Sequence, residues 1–163
     1  MRVLGIDPSV RSTGYAILEG ASENSLQVLT CDHIAVPPKC GQEIALSRIY
    51  QKLKSAITEY RPDSVAMEKI IYVQSVRTAI SMGSARGAIY VAIGEAGLQV
   101  HEYPARLIKQ AATGRGSAQK EQMAFMMRAL LGLTYTPQSD EADALAVALT
   151  HFRQIQNRKQ MES

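Results

Sequence analysis

The first 35 residues constrain the fold more than any other stretch, because their turns are too short for anything but an antiparallel meander. Residues 2–7 (RVLGID) form a short, largely apolar run that predicts a buried strand. Residues 13–19 (TGYAILE) and 26–35 (LQVLTCDHIA) predict two more. Pro8, Ser9 and Arg11 supply the first turn and residues 20–25 the second, before Pro37, Pro38 and Gly41 break the pattern.

Beyond the meander the chain alternates between helix and strand. Ile44, Leu46, Ile49, Leu53 and Ile57 recur at helical spacing and predict a helix over about 42–60. Arg61-Pro62-Asp63 should end it, since the residue before proline is pushed away from the α region. Residues 64–67 predict a fourth strand ending on Glu68, and 98–103 (LQVHEY) a fifth. Between them a helix is expected from about 75 to 96, carrying Gly83 and Gly87. Each glycine there costs roughly 1 kcal/mol relative to alanine, so another helix, in the same or a second subunit, should approach that face closely. Helices over about 104–112 and 117–131 should flank the loop Thr113-Gly114-Arg115-Gly116, with Ser117 as an N-cap. A last helix is expected over about 139–154. This order describes an α/β domain around a mixed sheet, the meander plus two parallel strands, flanked by helices. One domain over 1–155 is expected, with a short basic, disordered tail over 156–163.

Composition adds little beyond permission. A net charge of +3 allows a polyanionic partner without requiring one. Cys31 and Cys40 lie in no metal-like spacing and read as a reduced pair. The start MRVLGIDP lacks an apolar leader, and the most apolar stretch, 79–97, carries Arg86 and Glu95. A cytoplasmic protein with no membrane span is therefore expected.

The acidic residues are more telling. Asp7 ends an otherwise apolar strand, where a carboxylate is costly to desolvate without a partner. Read alone, its lesser alternative is a turn-forming Asp before Pro8. Glu68 ends a second buried strand, at the edge where open α/β sheets place their ligand crevices. Asp140 and Asp143 stand three apart at the start of an apolar helix and project from one face. Acidic residues also favour first helical turns for the sake of the dipole. If the four converge, they form an all-carboxylate site for Mg2+, or Mn2+ in its place. Two such ions about 3.5–4 Å apart can activate water and stabilise a leaving oxygen in phosphodiester cleavage. Arg106, Lys109, Arg115, Lys120 and Arg128 lie nearby in sequence and could grip phosphate, or could simply be solvated helix faces.

The segments Gly5-Ile6-Asp7-Pro8, Thr13-Gly14-Tyr15, Gly83-Ser84-Ala85-Arg86-Gly87, Gly116-Ser117-Ala118-Gln119-Lys120 and Asp140-Glu141-Ala142-Asp143-Ala144-Leu145-Ala146 resemble, in order and spacing, those of the RuvC family of Holliday junction resolvases. The resemblance runs from residue 2 to about 152. It implies an RNase H-like fold and metal-dependent endonuclease activity on four-way junction DNA. It implies catalytic carboxylates, also the metal ligands, at Asp7, Glu68, Asp140 and Asp143, and supporting lysines at Lys109 and Lys120. It further implies a homodimer that nicks two strands symmetrically and works with the RuvA and RuvB branch-migration proteins. Ile71 stands where relatives often carry a phenylalanine that engages the junction centre, and Tyr72 follows it. Either the loop after Glu68 carries both towards DNA, or both continue the strand into the core. Arg77, Arg86, Arg106 and Arg115 complete the expected DNA contacts. Ser9, where relatives often have glycine, is a smaller departure. Three other readings stay open: a sugar-kinase or actin-like phosphate loop, a junction-binding module without cleavage, and a different RNase H-like nuclease.

Overall fold

The computed structural model describes residues 1–162. Five strands form one sheet: β1 (Arg2–Asp7), β2 (Ser12–Glu19), β3 (Gln27–Ala35), β4 (Ser64–Glu68) and β5 (Val100–Tyr103). Their order across the sheet is β3-β2-β1-β4-β5. β1, β2 and β3 pair antiparallel, as short turns demand, while β4 lies parallel to β1 and β5 parallel to β4. The helices are α1 (Gln42–Tyr60), α2 (Val76–Glu95), α3 (Ala105–Thr113), α4 (Lys120–Leu131) and α5 (Ser139–Glu162). The expected α/β architecture is present.

Period-two alternation divides the core in two. Leu4, Ile6, Tyr15, Ile17, Val65 and Met67 face α1 and α2 through Ile49, Leu53, Ile89 and Ile93. Val3, Ala16, Leu18 and Ala66 face the other way, onto α5, α3 and α4. α5 is the central helix of that second layer. Leu145 and Phe152 are fully buried on it, each worth about 1.5–3 kcal/mol of apolar burial.

The same alternation aims the chemistry. Asp7 follows Val3 and Gly5 at odd positions of β1, and Glu68 follows Ala66 at an even position of β4, so both belong to the α5 side of the sheet. Two glycines let α5 lie directly on that side. A Cβ on Gly5 would collide with the Ala144 carbonyl, and one on Gly14 with the Asp140 carbonyl. Gly14 is also the register partner of Asp7, which brings the first turn of α5 against the end of β1.

One helix end falls as expected, and two others differ by three residues or more. α1 does end before Pro62, through Arg61 in the left-handed region (φ 48°), whose N–H reaches the Ile57 carbonyl at 2.9 Å. α4 begins at Lys120 rather than Ser117, because Gln119 and Gln122 form a reciprocal capping box there. α5 continues to Glu162, so 156–162 is helix rather than a disordered tail; Ser163 lies outside the described residues. Arg153 on that helix is held by Glu23 and by the Ala111 carbonyl, and Gln156 donates to the Ala21 carbonyl at 2.9 Å. Both cysteines are free. Among the described residues no helix is long and apolar enough to cross a membrane.

Candidate active site

Asp7, Glu68, Asp140 and Asp143 meet where the carboxyl ends of β1 and β4 face the amino end of α5. Their mutual influence is visible in the acidities of Asp7, Glu68 and Asp143. Burial pushes the Asp7 carboxyl up to about 8, and the charges of Asp143, Asp140 and Glu68 add to the rise; only Lys120 opposes it. Glu68 is raised by burial and then by Asp143, against Lys109 and Arg86. Asp143 is raised by burial and by Asp140, with Lys120 and Lys109 pulling the other way. Four acids on three elements thus lie near enough to feel one another's charge, and Lys109 and Lys120 act against them. The turn and helix-dipole readings explain neither the convergence nor the crowding.

Asp140 is fixed by the Ser12 hydroxyl, which donates to its Oδ2. Ser12 opens β2 beside the same turn and was not expected from sequence. Such a cluster leaves negative charge that protein cations do not neutralise. An all-oxygen donor set of this kind fits a hard divalent cation, with Asp7, Glu68, Asp140 and Asp143 as the candidate ligands.

An open cleft of about 290 Å³ leads from Asp7 and Glu68 to Ile71 and Tyr72. Residues 69–74 carry no helix or strand. Ile71 and Tyr72 are 74% and 82% exposed, so the core reading of these two side chains is excluded. Arg77 is exposed in the first turn of α2 and lines a separate cleft with Arg11 and Gln42. Arg106 is exposed on α3 and packs over Gly116; Arg115 is exposed in the loop after α3. Arg86 contradicts its expected role as a DNA contact. It is only 9% exposed, its Nη1 donates to the Glu68 carbonyl at 3.0 Å, and its Nη2 pairs with Glu102. Although it borders the cleft, its guanidinium spends these donors on Glu68, Tyr90 and Glu102 within the protein.

Glu141, next to Asp140 in the chain, is buried. Its Oε2 accepts the Gln138 N–H at 2.9 Å, capping α5, while Oε1 lies 3.4 Å from His33 Nδ1. Asp32, His33 and Glu141 bring possible ligand atoms within 4.8 Å of one another. Their charge is already engaged: Lys52 lies 3.6 Å from Asp32, and Glu141 serves the cap. The group supports the helix that carries Asp140 and Asp143.

A mixed sheet in this order, with acidic strand ends set against an acidic helix start, defines an RNase H-like nuclease. Residues 3–151 match the family described as crossover junction endodeoxyribonuclease RuvC. The crossover junction endodeoxyribonuclease RuvC of Akkermansia muciniphila is 48% identical over 152 residues, covering 93% of this chain and 90% of that protein. Its Geobacter sulfurreducens counterpart is 44% identical, covering 93% and 92%. Among solved structures, T. thermophilus RuvC in complex with Holliday junction substrate superposes with a TM-score of 0.88 at 34% identity, covering 96% of each chain. The chain belongs to the RuvC family. That membership removes the kinase-like reading.

Proposed function

We propose that this chain resolves four-way (Holliday) DNA junctions by symmetric, metal-dependent phosphodiester cleavage during recombination and repair in the cytoplasm. The observation that carries the reading is the Asp7 carboxyl, raised to about 8 by burial and by three neighbouring carboxylates. Such a site is costly as bare protein and suited to divalent cations. Mg2+ is the proposed metal, two ions per site, held by Asp7, Glu68, Asp140 and Asp143, with Mn2+ able to substitute. Bound there, such ions would make water a better nucleophile and stabilise the departing oxygen.

The protein's own groups then have distinct tasks. Lys109 and Lys120 face the carboxylates and would hold the scissile phosphate against them. Ser12 and the Glu141 cap keep Asp140 oriented. Ile71 and Tyr72 would reach the branch point, Tyr72 by stacking on a base. Arg77, Arg106 and Arg115 would contact phosphates further out.

Symmetric nicking needs two such sites in matching orientation, so a homodimer is proposed. α2 offers the surface. Val76, Ile80 and Val91 are 77%, 63% and 55% exposed on it, and a Cβ on Gly83 or Gly87 would meet nothing within 4 Å. Their spacing of three and four residues makes one stripe, suited to close helix packing. RuvA and RuvB are the proposed partners that deliver the junction. The test is a labelled four-way junction incubated with purified protein, with and without Mg2+. Paired symmetric nicks only with metal support the reading. Equal cutting of linear duplex, or of an RNA–DNA hybrid, would replace it with a general nuclease, and binding without nicking would leave only a junction-binding module.

A further inference from the structure

Among the described residues, Arg86 is the only lysine or arginine that is buried. Burying a guanidinium is unfavourable unless its donors are used and its charge is paired. Here every contact leads back to one strand end. Nη1 donates to the Glu68 carbonyl at 3.0 Å. Nη2 pairs with the Glu102 carboxylate and donates to Tyr90 Oη at 3.2 Å, while Tyr90 Oη donates to Glu102 Oε1 at 3.0 Å. Glu102 lies on β5 opposite Met67, and Tyr103 opposite Glu68. The Lys69 N–H, just beyond, donates to the Tyr103 carbonyl at 2.8 Å. The backbone of Glu68 is therefore held on both sides at the point where β4 ends and the exposed loop begins.

We infer that Arg86, oriented by Glu102 and Tyr90, is a positioning residue that fixes the Glu68 carboxylate for metal binding. It rests on the reading of Glu68 as a ligand. The rigid fork reaches the carbonyl from one nitrogen and the carboxylate from another at fixed spacing, whereas an ammonium would have to bring both acceptors to a single nitrogen on a flexible stem. The positive charge beside Glu68 also offsets part of the cost of ionising it. Without the clamp, Glu68 would share the freedom of the loop that follows. Groups that orient metal ligands from behind typically govern about 10–100-fold in metal affinity.

Three quantities are measured on the full chain: Mn2+ affinity without DNA, by electron paramagnetic resonance; melting temperature; and junction affinity in EDTA. Glu68→Gln is the benchmark. If it leaves Mn2+ affinity unchanged, Glu68 is no ligand and the reading of the site fails first. Given a loss there, the double variant Arg86→Met/Glu102→Met removes both charges together and so strands neither. It should melt near the parent, bind junction normally in EDTA, and lose ~10–100-fold in Mn2+ affinity. Parental Mn2+ affinity overturns the inference. So does a loss confined to junction binding, which would return Arg86 to DNA contact. Arg86→Lys keeps a charge facing Glu102 and decides the matter should the double variant not fold; it should show the Mn2+ loss, and parental affinity overturns the inference. Lys54→Met breaks the exposed pair between Lys54 and Glu95 that ties α1 to the same helix (2.9 Å). Mn2+ affinity should not change in that control, and an equal loss would mean that any loosening of α2 suffices, against a specific clamp.

Discussion

Replacing Asp7 by asparagine should abolish cleavage and at the same time stabilise the metal-free protein at neutral pH. The Asp7 carboxyl rises from 3.8 to about 8 on folding, through burial first and then Asp143, Asp140 and Glu68. Its folded form therefore binds a proton more tightly than its unfolded form. The associated stability is fully present below about pH 4 and is lost as pH rises through about 8. At pH 7 the span from 3.8 is roughly three units, or about 4 kcal/mol at 1.36 kcal/mol per unit, as an upper limit. The four carboxylates share protons, so about 2 kcal/mol is the working figure. Asparagine fills the same volume without a charge. For a chain of this size, ~2 kcal/mol corresponds to a melting temperature about 4–8 °C higher. The assay is thermal unfolding of parent and variant in EDTA from pH 5 to pH 8. The gap should open as pH rises, and saturating Mg2+ should close it by stabilising the parent alone. A variant no more stable than the parent at pH 8, or a gap that widens towards pH 5, would refute the account of a crowded, uncompensated site.

Glu68→Gln, Asp140→Asn and Asp143→Asn should each abolish nicking while junction binding in EDTA persists, and near-parental nicking by any two would sink the four-carboxylate site. Tyr72→Ala should leave the melting temperature unchanged, since the ring is 82% exposed. It should slow cleavage of a fully paired junction by roughly tenfold, from a stacking loss of ~1–3 kcal/mol, with recovery on a junction already unpaired at its crossover; equal slowing on both substrates would argue against a wedge. A Cβ at Gly87 meets nothing within 4 Å, so Gly87→Leu should give a folded monomer by sedimentation, and a surviving dimer would rule out packing through this face of α2. Glu141→Gln should lower the melting temperature by several degrees through the weakened Gln138 cap and the His33 contact, while cleavage at 25 °C falls only a few-fold. Complete loss of nicking there, with the fold intact, would make Glu141 a ligand.

Much of the fold was legible in the sequence because its signals are local. The short apolar strand runs, the Arg61-Pro62 stop and the apolar run of α5 each depend on a few neighbouring residues. The four carboxylates could be marked for the same reason: each interrupts an apolar segment at its end. Their convergence was open until Gly5 and Gly14 were seen to admit the backbone of α5. Register and close approach belong to pairs of segments, and a linear pattern does not carry them.

The sequence by itself determined the elements, their alternation, and which acids stand at element ends. Tertiary structure alone decided what each charged side chain does with its charge. Arg86 and Glu141 both fall within motif segments; Arg86 was expected to contact DNA, and Glu141 had no assigned role. Yet one clamps Glu68 and the other caps α5, because β5 places Glu102 beside Arg86, and β3 places His33 beside Glu141. Conversely Ile71 and Tyr72, apolar enough to pass for strand, stand in solvent because β4 stops at Glu68. Burial of a charge depends on partners that arrive from distant segments, so it becomes fixed only when the chain has folded.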